Sequence, residues 1–318
     1  MMKLAPAPLF QDPIFEGAAD PTVIYNRTEK TWWIIYTARR ANAPCRGVAW
    51  VHGTALGVAS SDDNGQTWIY RGTLNVEPIE PGHNTLWAPE VIWAAGKYHM
   101  YVSYITGIPE TWARPRHILH YTSDNLWDWK FESVLDSLGS KVIDAALYPL
   151  PDGGWRMFYK DEARDSHTLY ADSPDLYTWK VMGEATNDCD QEGPNVFSLG
   201  GDVFMIADMW DGMAVYRSDD LIHWKRQPGK FLNGGMSDSP RHLDKNRGHH
   251  ADVVSFGDRA YMFYFVHPGA GEYMYGDDDS VEIRRSVVQV AMLTNENGTL
   301  KLWRDEPFDF DLTGKQVW

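Results

Sequence analysis

Asp190-Gln191-Glu192-Gly193-Pro194-Asn195-Val196-Phe197 sets a carboxylic acid between small and turn-forming residues at the mouth of an apolar run. That order reads as the first residues of a β-strand, with Glu192 carried on its opening turn. Comparable openings occur at Asp20-Pro21-Thr22-Val23-Ile24-Tyr25, Ala88-Pro89-Glu90-Val91-Ile92-Trp93, Asp144-Ala145-Ala146-Leu147-Tyr148 and His250-Ala251-Asp252-Val253-Val254. The chain therefore repeats a unit of roughly 50 to 70 residues, each beginning with a polar or acidic group.

Each opening leads through a turn into a second strand rich in Tyr, Trp, Phe and Met, then a third strand, then a Ser-Asp turn ending in Trp. In the first unit these pieces are Asp20 to Tyr25, Trp32 to Thr37, Ala55 to Ala59 and Trp68-Ile69-Tyr70. Four strands at this period predict an all-β, single-domain five-bladed β-propeller with four-stranded antiparallel blades. The blades are expected over about 20–72, 87–133, 144–184, 192–227 and 249–306 of the 318 residues. In the closing segments, such as Ser173-Pro174-Asp175-Leu176-Tyr177-Thr178-Trp179, the short polar side chains bond nearby backbone and the Trp packs between blades, a structural role.

Composition narrows the function. A formal net charge of -15 argues against nucleic acid, which needs clustered Lys and Arg to displace counterions. Cys45 and Cys189 are the sole cysteines, too few for a disulfide framework or a zinc pattern. No window holds the ~20 apolar residues of a spanning helix, so no membrane partner is expected. Met1-Met2-Lys3-Leu4-Ala5-Pro6-Ala7-Pro8 lacks the apolar stretch of a leader, and the expected compartment is the cytoplasm, or a secreted or periplasmic location had a leader been removed. The 15 Trp and 16 Tyr suit both sheet packing and stacking on flat ligands such as sugars.

Long insertions follow the second strands at Arg39 to Gly53, Gly107 to Arg116 and Gly269 to Glu282, with Trp50, His52, Trp112 and Tyr273 inside them. Loops on a rigid scaffold carry recognition, so some of these should wall a pocket. Asp277-Asp278-Asp279 reads as a solvated turn rather than a calcium loop.

In a propeller the innermost strands line a central channel, so Asp20, Asp144 and Glu192 should meet on one face of the disc. Crowded, partly desolvated carboxyls cannot all ionise freely, and at least one pKa should rise. Such a site offers an acid and a base at one pH.

With Ala19-Asp20-Pro21-Thr22, the acidic opening at Asp144, Glu192-Gly193-Pro194 and a His in the last blade, residues 14 to 306 resemble the five-bladed propeller glycosidases of glycoside hydrolase family 43 and its clan relatives. The order Asp, Asp, Glu on blades one, three and four is the specific part. The resemblance implies that Asp20 is the general base, Glu192 the general acid and Asp144 the residue that positions the acid and raises its pKa. It also implies inversion, which needs a carboxyl separation of ~6.5 to 9.5 Å to admit a water. Trp87 resembles the sugar platform, with an inter-blade Trp as the competing reading. Glu90 either binds sugar hydroxyls or caps a strand. Of Arg284 and Arg285, which open the third strand of the last blade, Arg285 is the candidate for a sugar hydroxyl. No cofactor is required, but a structural calcium on the axis is implied through His250, with His249 as the alternate in the other register and a sugar contact in this one.

The function expected is an inverting glycoside hydrolase removing terminal arabinofuranosyl or xylosyl units from oligosaccharides or polysaccharides. Galactofuranose or anhydrogalactose ends are the alternative within the clan, and a non-catalytic glycan-binding propeller is the alternative outside it. Ser61 to Trp68 also fits the sialidase turn motif, but the early Arg-Ile-Pro and six such blades of sialidases are absent.

Overall fold

The computed structural model describes residues 3–233, 241–270 and 280–317; Tyr273 and Asp277-Asp278-Asp279 lie outside them. After β1 (Phe10–Gln11), blade one comprises β2 (Ala18–Asn26), β3 (Thr31–Ala38), β4 (Leu56–Ser61) and β5 (Ile69–Thr73). A short β6 (Asn75–Val76) precedes blade two, formed by β7 (Thr85–Ala94), β8 (Lys97–Ile105), β9 (His117–Ser123) and β10 (Asp128–Val134). Blade three is β11 (Val142–Pro149), β12 (Trp155–Asp161), β13 (His167–Ser173) and β14 (Lys180–Thr186). Blade four is β15 (Glu192–Leu199), β16 (Asp202–Asp208), β17 (Met213–Ser218) and β18 (Lys225–Arg226). Blade five is β19 (Gly248–Ser255), β20 (Ala260–Val266), β21 (Val287–Glu296) and β22 (Thr299–Trp303).

These are the five antiparallel four-stranded sheets of a propeller, as the repeat predicts. Two edge additions were not legible in the repeat: β6 joins β10 in parallel, and β1 joins β21 in antiparallel register, Phe10 opposite Val288. The single α-helix among the described residues is the turn Val281–Arg284, and no helix there is long and apolar enough to cross a membrane.

The second strands are apolar on both faces because each is sandwiched, its alternate side chains facing opposite neighbours. Tyr98, Met100 and Val102 of β8 pack with Trp33 and Ile35 of blade one, whereas Tyr101 packs with Leu147 and Tyr159 of blade three. Phe158 then meets Met205 and Tyr216 of blade four, Ile206 meets Met262 of blade five, and Phe263 meets Ile34 and Tyr36 of blade one. Leu9 and Phe10 from one end of the chain and Phe308, Phe310 and Leu312 from the other complete that last cluster. The ring is thereby closed by apolar burial from both terminal segments.

The inner strands share one irregularity. The pairing register of each slips at Ala19/Thr22, Trp87/Glu90, Ile143/Ala146, Glu192/Asn195 and His249/Asp252. Within each slip one residue has positive φ: Asp20 at 47°, Ala88 at 46°, Asp144 at 60°, Gly193 at 53° and His250 at 23°. A bulge re-aims the side chains around it. These five residues are structural counterparts, and they set what each blade presents to the site.

Candidate active site

Asp20, Asp144 and Glu192 line a single cavity of about 530 Å³, together with Arg39, Arg116, Lys160, Glu162, Trp87, Trp112, Trp210 and His250. Asp20 and Asp144 occupy bulge positions, and Glu192 precedes the bulge residue Gly193 by one. Gly193 is required there: a Cβ on it would stand 2.7 Å from Cγ of His250.

Neighbouring blades are tied at the bulges. The N–H of Ala88 donates to Thr37 Oγ1 (2.9 Å), that of Asp144 to Ser103 Oγ (3.0 Å) and that of His250 to Asp208 Oδ2 (3.2 Å). Thr37, Ser103 and Asp208 each lie opposite the residue just before their own blade's bulge: Ala19, Trp87 and Glu192. In blade three that place, opposite Ile143, belongs to Lys160. An ammonium cannot accept a hydrogen bond. Asp144 Oδ2 itself takes the N–H of Gly193 (3.0 Å), and Lys160 Nζ turns to Glu192 Oε2 at 2.9 Å.

Charge is distributed unevenly over the three carboxyls. Arg39 Nη2 approaches both oxygens of Asp20, at 3.0 and 3.2 Å, and His250 Nδ1 lies 3.8 Å from Asp20 Oδ1. Burial pushes the Asp144 carboxyl up to about 6, with His250 opposing the rise and Glu192 adding to it. Burial also acts upward on Glu192, but the Lys160 ammonium in contact with it holds that carboxyl below the usual range. The expected rise thus falls on Asp144 rather than Glu192, because a cation absent from the sequence reading sits against the latter. Lys160 also lies 3.5 Å from Glu162, which pairs with Arg116 at 2.9 Å.

Trp87 lines the cavity but is only 7% exposed, its Nε1–H donating to Val51 O (2.6 Å), so it forms floor more than platform. Among the described residues, the insertions Arg39 to Gly53 and Gly107 to Arg116 reach the cavity, through Val51 and through Trp112 and Arg116.

Three expected sugar contacts stand elsewhere. Glu90 lies two residues beyond its bulge and lines a separate cavity of about 140 Å³ in the central channel with Thr22, Asn195 and Asp252. There burial and then the Asp252 carboxylate push Glu90 up to about 8, while Asp252 is pushed up to about 6, chiefly by burial. Arg285 follows the helical turn Val281–Arg284 instead of opening a strand, and its Nε donates to Glu16 Oε2 at 2.7 Å. His249 is buried with Nδ1 3.0 Å from Asp208 Oδ2, a support beneath the site.

His250 is the bulge residue of blade five and lines the cavity. The Asp20 carboxylate stands 3.8 Å from it, and Asp144 and Glu192 are also within reach of its charge, but among the described residues no three His, Cys, Asp or Glu gather to hold a metal. A calcium cage of several protein oxygens does not fit this donor set.

The reading from sequence did not find Arg39, Arg116, Lys160, Glu162 or Trp210. Lys160 and Glu162 follow the apolar run Met157-Phe158-Tyr159, where charges at the end of a second strand were the available clue.

No family model matches this chain, and no curated protein matches it in sequence. Solved structures do match. A thermostable family-43 glycoside hydrolase is 18% identical over 96% of this chain and 98% of its own, with a TM-score of 0.68. A GH43 β-xylosidase/α-arabinofuranosidase from a compost microbial metagenome is 16% identical over 94% and 96%, at 0.65. An endo-arabinase from Bacteroides thetaiotaomicron is 15% identical over 93% and 99%, at 0.63. The class defined by the fold is thus the five-bladed propeller on which these glycosidases are built. At such identities the likeness is one of architecture, shared along nearly the whole length of each chain.

Proposed function

We propose that the protein is an inverting glycoside hydrolase that removes terminal arabinofuranosyl or xylosyl units. The observation that carries the reading is the meeting of Asp20, Asp144 and Glu192, from three different blades, in one cavity. Asp20, oriented by Arg39, takes a proton from a water whose oxygen attacks the anomeric carbon. As the bond to the leaving oxygen breaks, Glu192 gives that oxygen its proton. Asp144 fixes Gly193 through its backbone N–H and so holds the neighbouring Glu192 in place. Sugar hydroxyls that accept from Lys160 weaken its hold on Glu192 and raise the proton affinity of the acid where it is needed.

The lining favours a neutral sugar over a uronate or a sulfated one. Arg39, Arg116 and Lys160 face four carboxyls, Asp20, Asp144, Glu162 and Glu192, which leaves no excess positive charge for an anion. Walls raised by the insertions after β3 and β8 support exo action, since they narrow a cleft into a pocket. The names of similar structures, which include a xylosidase/arabinofuranosidase, support the choice of pentose.

The test is turnover of nitrophenyl arabinofuranosides and xylosides and of arabino- and xylo-oligosaccharides. Glu192→Gln should lower kcat by roughly a hundredfold or more with sugar binding retained. Products from internal cuts would overturn the exo assignment. A wild type that binds these sugars and cleaves none is a lectin.

A further inference from the structure

We propose that Gln191 is a positioning residue for the acid: its buried amide fixes the strand opening from which Glu192 reaches the cavity, and so sets the direction in which the proton is delivered. This rests on the glycosidase reading and adds to it what holds the acid in line.

Blade four by itself holds Glu192 loosely. Glu192 is the first residue of β15 and pairs with Asp208, but the ladder then slips to Asn195 opposite Ile206. Gly193 and Pro194 fall inside the slip, and a proline has no N–H to offer. The chain around the acid is instead tied to blade three, residue by residue. The N–H of Gln191 donates to Ser166 O at 3.1 Å, Glu192 Oε2 accepts from Lys160 Nζ, and the N–H of Gly193 donates to Asp144 Oδ2. Asp165 and Ser166 have φ of +50° and +55°, so that carbonyl is presented by two successive left-handed residues in the loop from β12 to β13.

The Gln191 side chain is the remaining tie, and no step of the proposed chemistry needs it. It is fully buried, whereas Glu192 beside it lines the cavity. Its Nε2 donates to Thr168 Oγ1 at 2.9 Å and to Thr186 Oγ1, the hydroxyls of a directly opposed pair on β13 and β14. Its Oε1 accepts at 3.1 Å from the Tyr216 hydroxyl of β17, which also donates to Asp188 Oδ1 at 2.8 Å. One amide thus joins two strands of blade three to one of blade four. An amide bonded at both ends in the core cannot shift without leaving a polar group unpaired there, which is costly. Residue 191 is locked to both walls of the seam, and the next side chain along leaves the strand in a fixed direction. Proton delivery in a transition state is sensitive to small displacements of this kind.

The test is a comparison of leaving groups. Xylosyl and arabinofuranosyl fluorides depart with little help from an acid, whereas xylobiose and arabinobiose need the proton on the leaving oxygen. Gln191→Met, close in volume, removes the bonds; kcat on the disaccharide that the wild type cleaves should fall about tenfold or more, with KM and the activity on the fluoride within about twofold. Thr168→Val keeps the shape of the core and takes away one acceptor. It should show the same selective loss at about threefold or more, and it carries the test alone if Gln191→Met does not fold; Thr168→Ser, which keeps the hydroxyl, should behave as the wild type. A merely structural role would lower both kinds of substrate together. Equal losses on fluoride and disaccharide, a loss confined to KM, or no loss in the folded variants would overturn the assignment of Gln191 and leave the glycosidase reading standing. A wild type that cleaves none of the four substrates removes that reading along with it.

Discussion

Lys160 Nζ lies 2.9 Å from Glu192 Oε2, in the position where blades one, two and four carry Thr37, Ser103 and Asp208. In blades one, two and four this place serves the joint to the next blade, in blade five it holds Phe265, and in blade three it contacts Glu192, the proposed acid. With the ammonium present, the Glu192 carboxyl is held low even though desolvation pushes it upward. Lys160→Met should therefore raise its proton affinity. With Glu192 as the proposed general acid, the alkaline limb of kcat/KM reports loss of its proton, and that limb should move to higher pH. A limb that does not move would separate Lys160 from the acid's titration.

Gly193 gives a test of the site's packing. Adding a methyl group there sets a Cβ 2.7 Å from the His250 ring, at φ +53°. Gly107, at φ +75°, has open space around the same atom. Both alanine variants meet the backbone penalty of about 1 kcal/mol for the left-handed region, but only Gly193→Ala adds the clash. Thermal unfolding should show Gly193→Ala less stable than Gly107→Ala by about 1–3 kcal/mol. Equal Tm values would mean the imidazole moves aside freely.

The repeat was legible because each inner strand opens with turn residues before an apolar run, and each second strand is apolar on both faces. Register was not. Glu90 looked like the counterpart of Asp20 by chemistry, yet Ala88 is its counterpart by bulge, and the two-residue difference sends Glu90 into the channel. Asp20, Asp144 and Glu192 were found because carboxyls at strand openings are chemically conspicuous. Lys160 was not, since the equivalent residues Thr37, Ser103 and Asp208 share no chemistry that would read as a motif. Arg285 was misplaced because a helical turn, Val281–Arg284, stands where a strand start was expected. Trp210 depends on a left-handed turn conformation, which an indole gives no reason to predict.

Glu90 predicts a pH effect on stability. Its folded value of about 8 lies above the ordinary carboxylate value, so the folded chain binds this proton more tightly than the unfolded chain. Stability from this group is present at low pH and falls as pH rises from about 5 to about 8, then levels off. Glu90→Gln should flatten that part of the Tm–pH curve. An unchanged slope would contradict the burial and carboxylate repulsion assigned to the channel.

His99 and His120 predict the opposite slope at lower pH. Nδ1 of His99 lies 2.9 Å from Nε2 of His120, and burial first of all pushes the pair down to about 4 and about 3. The unfolded chain takes up these protons first, so stability falls as pH drops below about 6.5 toward those values. His120→Phe should reduce the steepness of that loss in acid unfolding. A curve superimposable on the wild type would mean other groups govern it.

The most direct test of the central claim is the anomeric configuration of the first product, read by proton NMR during cleavage of xylobiose and arabinobiose. The proposed mechanism, in which Asp20 activates a water that attacks the anomeric carbon while Glu192 protonates the leaving oxygen, predicts an initial product of inverted configuration, and its formation should slow by roughly a hundredfold or more in Asp20→Asn and Glu192→Gln. An initial product of retained configuration, or full turnover in either variant, would contradict the account.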